Sequence, residues 1–263
     1  MPILSIKNGA GPTLVIMAGN HGDEHEGQIA ISTLARELNP ADICGRLILM
    51  PMVNYPAAQA GLRTSPIDEG NLNRLFPGNA AGSPTEMIAH YIEDVLMPLT
   101  YYAFDLPYAW VFTGGGGRNS TAMGAANRNG VINVMAELGG GRVVTPDVLQ
   151  RTERGLRRIL YSLDMLPNYT PDAAQDTREL NAQGSVFSYT AGVFEPLRSI
   201  GEDVSVDEAV GRIHHPDTPQ SEPDMIISPY AGIVLCKRAM AQVVRGDAVF
   251  HIASDAAPRA AKT

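Results

Sequence analysis

The stretch Thr13–Ala18 (TLVIMA) runs into Gly19–Gly27 (GNHGDEHEG) and then into Gln28–Leu38 (QIAISTLAREL). The first six residues are apolar and rich in β-branched side chains, the pattern of a strand covered on both faces. The last eleven repeat apolar residues at helical spacing through Ile29, Ile31, Leu34, Ala35 and Leu38. Strand, polar glycine-rich loop and helix in that order form half of an α/β unit, and the loop falls at the carboxyl end of the strand, where open α/β sheets place their sites. Outward from it the alternation continues. Gly45 precedes a second strand over Arg46–Val53, broken by Pro51, and Ser83–Leu96 reads as a helix with Ser83 as N-cap and Pro84 at its first position. Strands are expected at Tyr108–Thr113 and Val131–Glu137, and a long helix over Thr145–Leu163. The fold class is therefore α/β, a mixed, largely parallel sheet flanked by helices.

After Leu166 the character changes. Residues 167–183 are polar, contain two prolines and read as a linker. Short β-type pieces follow at Ser185–Tyr189, Gly192–Pro196, Ala209–Ile213, Met225–Ser228, Gly232–Lys237 and Val249–Ala253, the spacing of a small all-β module. The expected organisation is a catalytic-type domain over 1–166, then linker and β-rich module over 167–263.

The 263 residues carry 20 basic and 28 acidic side chains, a net charge of −8. The densest basic cluster, Arg151, Arg154, Arg157 and Arg158, has helical spacing and reads as a solvated helix face, so no nucleic-acid partner is expected. No basic-then-apolar leader and no membrane-length apolar run is visible, so no membrane partner is expected either. The two cysteines, Cys44 and Cys236, are too few for a disulfide framework and suit a reducing compartment. A cytoplasmic protein is expected. Oligomeric state is not written in the chain, and a homo-oligomer is compatible with it.

Three motifs carry chemistry. In the loop 19–27, His21 and Glu24 are three apart, so an imidazole and a carboxylate can turn to one side, a pairing that suits Zn²⁺. The same pair also serves as an ordinary loop contact, and His25 reads as an exposed neighbour. Arg63 and Gly70–Gly78 (GNLNRLFPG) place two arginines around an Asn-rich loop, able to clamp a carboxylate or simply to face solvent. Val134–Gly141 (VMAELGGG) ends an apolar run on Glu137 before three glycines, where a partly desolvated carboxylate can act as a general base or the glycines merely turn the chain. Gly114–Gly117 lacks the Lys-Ser/Thr ending of a phosphate loop and reads as a turn.

Taken together, GNHGDEHEG, NLNRLFPG and AELGGG in this order resemble the succinylglutamate desuccinylase/aspartoacylase family of zinc-carboxypeptidase-like enzymes, most of all its members that deacetylate N-acetyl-diaminobutyrate. The resemblance spans nearly the whole chain. It implies a zinc-carboxypeptidase-like sheet, one Zn²⁺ per chain held by His21 and Glu24, and Glu137 as general base and acid. It further implies that Arg63, Asn73 and Arg74 hold the substrate carboxylate or polarise the scissile carbonyl. The substrate would be a small N-acyl amino acid.

The chain departs from that pattern at one point. The family takes a third zinc ligand from the histidine of an Asp-Leu-His-Ser-Gly-Gly motif, whereas here Asp105-Leu106 continues into Pro107-Tyr108-Ala109-Trp110, as though a segment beginning at the ligand were deleted. The residues available as substitutes are His90, Asp105, His214 and His215. A non-catalytic relative that binds a small carboxylate is therefore the alternative reading. The β-rich tail resembles a biotinyl-like barrel, but Cys236-Lys237-Arg238 is no Met-Lys-Met acceptor, which disfavours a carrier role.

Overall fold

In the computed structural model the described residues are 1–99, 108–110, 119–173 and 177–256. The apolar run that opens the motif forms strand β2 (Thr13–Met17), which lies parallel to β3 (Gly45–Met50); β1 (Leu4–Asn8) joins the other side of β3 antiparallel, giving the order β1-β3-β2. Strand β3 shows why the sheet needs helices on both faces. Leu47 and Leu49 enter a core with Ala30, Ile31 and Leu34 of α1 (Glu26–Glu37) and Leu156, Ile159 and Leu160 of α5 (Pro146–Ser162). Ile48 and Met50 enter a second core with Ala89 of α3 (Pro84–Tyr91), Ile92, Leu96 and Ala125 of α4 (Ala122–Arg128). Alternation with period two thus feeds two opposite cores, the arrangement of a covered α/β sheet.

Local chemistry sets the helix starts. At α3 the Ser83 hydroxyl accepts from Glu86 N–H while Glu86 Oε2 accepts from Ser83 N–H, a full capping box with Pro84 at the first position. Past Tyr91 the helix widens over Ile92–Leu96 into a π turn, which puts Glu93 inside, where Arg128 of α4 meets both its oxygens at 2.9 and 2.7 Å. The short helix α2 (Tyr55–Ala60) presses on the motif loop so closely that a Cβ on Gly22 would stand 2.1 Å from the Ala57 carbonyl carbon. Glycine is obligatory there.

The described residues up to 99 and over 119–173 form one compact unit, and those over 108–110 and 177–256 a second. Within the second, strands β4 (Tyr108–Trp110), β5 (Arg178–Phe187), β12 (Ala248–Asp255), β10 (Gly232–Lys237) and β7 (Asp203–Val204) form one sheet. Strands β11 (Gln242–Val243), β6 (Gly192–Pro196), β8 (Ala209–His214) and β9 (Asp224–Ile227) form another. Their apolar faces share a core in which Phe194 and Phe250 meet edge to face with centroids 5.5 Å apart.

Several expectations are corrected. The sheet of the first unit is mixed, as expected, but not largely parallel among the described residues: β2–β3 is a parallel pair and β1–β3 an antiparallel one. The two segments expected to extend it do not. Tyr108–Trp110 pairs with β5 in the second unit, and 111–113 lies outside the described residues. Residues 131–137 form no ladder, and Ile132, Val134 and Met135 stand exposed; β propensity counts only where a partner strand receives it. The expected linker is shorter, because β5 begins at Arg178 and pairs along β12. Gly114–Gly117 lies outside the described residues. Among the described residues no helix is long and apolar enough to cross a membrane.

Candidate active site

The site grows from the end of β2. Ala18 N–H donates to Met50 O, and Gly19, at φ +71°, turns the chain out of the sheet. Gly22 N–H donates to Leu62 O, pinning the loop against the segment after α2. These restraints leave His21 buried, with its imidazole fixed at both nitrogens. Nδ1 lies 2.7 Å from Glu24 Oε1 and Nε2 lies 3.2 Å from Asn71 Oδ1.

The partners decide the tautomer. Asn71 Oδ1 also accepts the Asn73 N–H at 3.1 Å, so that atom is the amide oxygen and His21 Nε2 must carry the hydrogen it receives. A neutral His21 then aims the Nδ1 lone pair at a carboxylate oxygen. Two acceptors at 2.7 Å call for a cation between them, either a proton or a metal ion, and imidazole plus carboxylate is a zinc-type donor set. His21 and Glu24 thus fit a metal as two of its ligands. Among the described residues no group of three or more His, Cys, Asp or Glu could hold one.

Each suggested third ligand has its own account. His90 pairs with Asp94 at 2.5 Å on α3 and the turn after it, Asp105 is outside the described residues, and in the second unit His214 bonds Glu195 and His215 bonds Asp224. His25 is half-buried at the start of α1, not an exposed neighbour.

Of the other expected residues, Glu137 and Asn73 line the same cavity as His21 and Glu24. Glu137 keeps contact with solvent at its rim. Partial burial in this concavity pushes its carboxyl above the ordinary glutamate value, and the charge of Glu24 adds to the rise against the opposing pull of His21 and Arg63. Arg63 reaches Glu24 Oε1 at 3.5 Å. Asn73 Oδ1 accepts the Ala122 N–H and so anchors the start of α4. Arg74 is not gathered in: it is exposed, donates to the Asn73 carbonyl, and is not among the residues lining the cavity.

Three supporting residues escaped the sequence reading. Asn71 is the first, and Asn-Leu-Asn, the signature of an Asx turn, was the available signal. Asp68 is the second; it accepts from Gly70 N–H, Thr85 N–H and the Thr85 hydroxyl and so tethers the Asn71 loop to α3. Glu26 is the third. Only 1% exposed, it accepts the Thr145 N–H, and its Oε1 lies 2.2 Å from where a Cβ on Gly139 would stand. A buried glutamate in the first turn of a helix carries no sequence signal of its own.

Comparison with known proteins places the chain in this context. Residues 10–107 match the model of the succinylglutamate desuccinylase/aspartoacylase catalytic domain, so the match ends at Pro107, directly after Asp105-Leu106. The chain is 33% identical, over 96% of its length and 85% of the relative's, to the N-alpha-acetyl-L-2,4-diaminobutyric acid deacetylase of Halomonas elongata. Among solved structures, a succinylglutamate desuccinylase/aspartoacylase from Rhodobacter sphaeroides superposes with TM-score 0.87 at 31% identity, covering 97% of this chain and 89% of that one. The product-bound ectoine utilization protein EutE (DoeB) from Ruegeria pomeroyi superposes with TM-score 0.86 at 30% identity, covering 96% and 88%.

Proposed function

Since the chain belongs to the succinylglutamate desuccinylase/aspartoacylase family, we propose that it is an amide hydrolase that removes a short acyl group from an N-acyl amino acid of the N-acetyl-diaminobutyrate type. One observation carries the reading: His21, Glu24, Asn73 and the proton-avid Glu137 line a single cavity.

His21 Nδ1 and Glu24 Oε1 would hold Zn²⁺, which when bound supplies a Lewis acid and a water of lowered pKa. Glu137 takes the proton as water oxygen attacks the acyl carbon, then returns it to the amine nitrogen as the carbon–nitrogen bond breaks. Its raised proton affinity suits both halves of that shuttle. Arg63, which reaches Glu24, would polarise the scissile carbonyl, and Asn73 would orient the substrate; Arg74 would have to swing inward to hold the substrate carboxylate. Asn71 keeps the Nδ1 lone pair of His21 turned inward.

The test is acetate release from N-α-acetyl-2,4-diaminobutyrate by the zinc-supplemented protein. Turnover that disappears in Glu137→Gln supports the reading. No release, with substrate still bound, supports the alternative of a non-catalytic carboxylate-binding relative, which the two-ligand donor set among the described residues favours.

A further inference from the structure

Glu137 ends a segment that no strand supports, since residues 131–137 form no ladder and Ile132, Val134 and Met135 stand exposed. The turn after it is held instead, and by the same short stretch of chain that carries His21 and Glu24. A Cβ on Gly27 would stand 3.7 Å from Leu138 Cδ1, so Leu138 lies over the first turn of α1. Glu26 Oε1 lies against Gly139 and accepts the Thr145 N–H at 3.2 Å. Arg142 Nε donates to Asp23 Oδ2 at 3.1 Å. Leu138, Gly139, Arg142 and Thr145 thus all meet Asp23, Glu26 and Gly27. Two details mark these contacts as setting geometry. Arg142 holds φ at +62°, a left-handed backbone that strains any residue with a side chain and persists where its surroundings impose it. Thr145 starts α5 without a side-chain cap, and the Glu26 carboxylate brings an acceptor and a negative charge to that helix N-terminus from another helix.

Resting on the hydrolase reading above, we propose that Asp23 and Glu26 are positioning residues that clamp the turn after Glu137 to the loop of His21 and Glu24, and so set where the Glu137 carboxyl stands in the cavity. Each lies two residues after a proposed ligand, so ligands and clamps are interleaved on one loop. Neither acts on the substrate; both act through Glu137, which has no sheet to hold it. With the turn released, the carboxyl moves outward, and a misplacement of about 1 Å at a reacting group costs on the order of 10²-fold in rate. The same movement takes Glu137 away from the partial burial and the Glu24 charge that raise its proton affinity.

The test reads position and turnover separately. In metal-free protein with carboxyl-labelled glutamate, NMR follows the Glu137 titration, its signal identified by its absence from Glu137→Gln. Wild type should titrate above the ordinary 4.5, and Glu26→Ala and Arg142→Ala, which break the two ties, should fall back toward it. Glu26→Gln keeps the acceptor for Thr145 and Arg142→Lys keeps a cation for Asp23, so both should stay near wild type. In zinc-supplemented protein the alanine variants should lose roughly 10- to 100-fold in kcat with little change in KM, and the conservative variants should recover most of it. The Arg142 side chain is exposed, so its two variants decide the matter if Glu26→Ala fails to fold. An unmoved titration in the folded alanine variants, or an unmoved kcat in an active protein, overturns the clamp. A titration that moves as expected, in a protein whose wild type releases no acyl group, overturns the hydrolase reading and leaves the clamp standing.

Discussion

Asn71 takes the Nε2 hydrogen of His21 across 3.2 Å, and by doing so it fixes which imidazole nitrogen is free to face Glu24. A partner of this kind acts through the histidine it orients, and loss of such a partner typically weakens metal binding 10- to 100-fold. Asn71→Ala is expected to lower zinc affinity by about that factor, measured by competition with a chromophoric chelator. Asn71→Asp, which keeps an acceptor at the position, should restore most of it. Unchanged affinity in the alanine variant would show that the ring is held by its surroundings instead.

Glu137 ties stability to pH. A carboxyl whose native pKa is raised is better accommodated neutral than charged. Its contribution to stability is fully present below the ordinary value of 4.5 and is lost as pH climbs through the higher native value. Glu137→Gln should therefore melt at a higher temperature than wild type at pH 7, with the gap closing toward pH 4. The same variant should lose 10²- to 10⁴-fold in kcat. Paired melting curves across that range, with a kcat/KM profile whose acid limb lies above 4.5, check both.

Asp68 works in the opposite sense. Burial pushes its carboxyl up, but hydrogen bonds from the Thr85 backbone and side chain, Ser65 and Gly70 outweigh it and hold the group well below the ordinary carboxylate range. Its stabilisation is present above the unfolded value near 3.8 and fades as pH falls toward the lower native value. Asp68→Asn should cost about 1–3 kcal/mol at pH 7 by urea unfolding. That difference should shrink below about pH 3.8.

Gly139 bears on the position of Glu137, two residues before it. Its φ of +65° and the nearness of Glu26 leave no room for a side chain. Gly139→Ala is expected to cost about 1–2 kcal/mol in backbone strain alone, and to lower kcat more than it raises KM. A variant with wild-type kcat would show that the turn does not position Glu137.

Much of the first unit could be read from the chain because strand and helix periods state burial directly. Within TLVIMA, Thr13–Met17 is a strand whose Leu14 and Ile16 pack into one core and Val15 against the other, while Met17 stays exposed, and Ser83-Pro84 opens a helix through local hydrogen bonds. The motif loop was legible for a related reason: His21 and Glu24 are three residues apart, and a single turn brings them together. What the sequence hid depends on partners distant along the chain. Val131–Glu137 has strand composition but no ladder, and β1 owes its place to β3. Asn71 meets His21 across fifty residues, and Glu26 meets Thr145 across 119. No local pattern encodes such separations. Arg74 shows the converse, since its position in a strong motif said nothing of the exposed rotamer it adopts.

The central claim is that His21 and Glu24 hold the metal that the hydrolysis requires, and zinc per chain tests it most directly. After purification and exhaustive dialysis against metal-free buffer, elemental analysis of the folded protein should find close to one zinc per chain, and His21→Ala should find almost none. Folded wild-type protein that retains no zinc would contradict the claim.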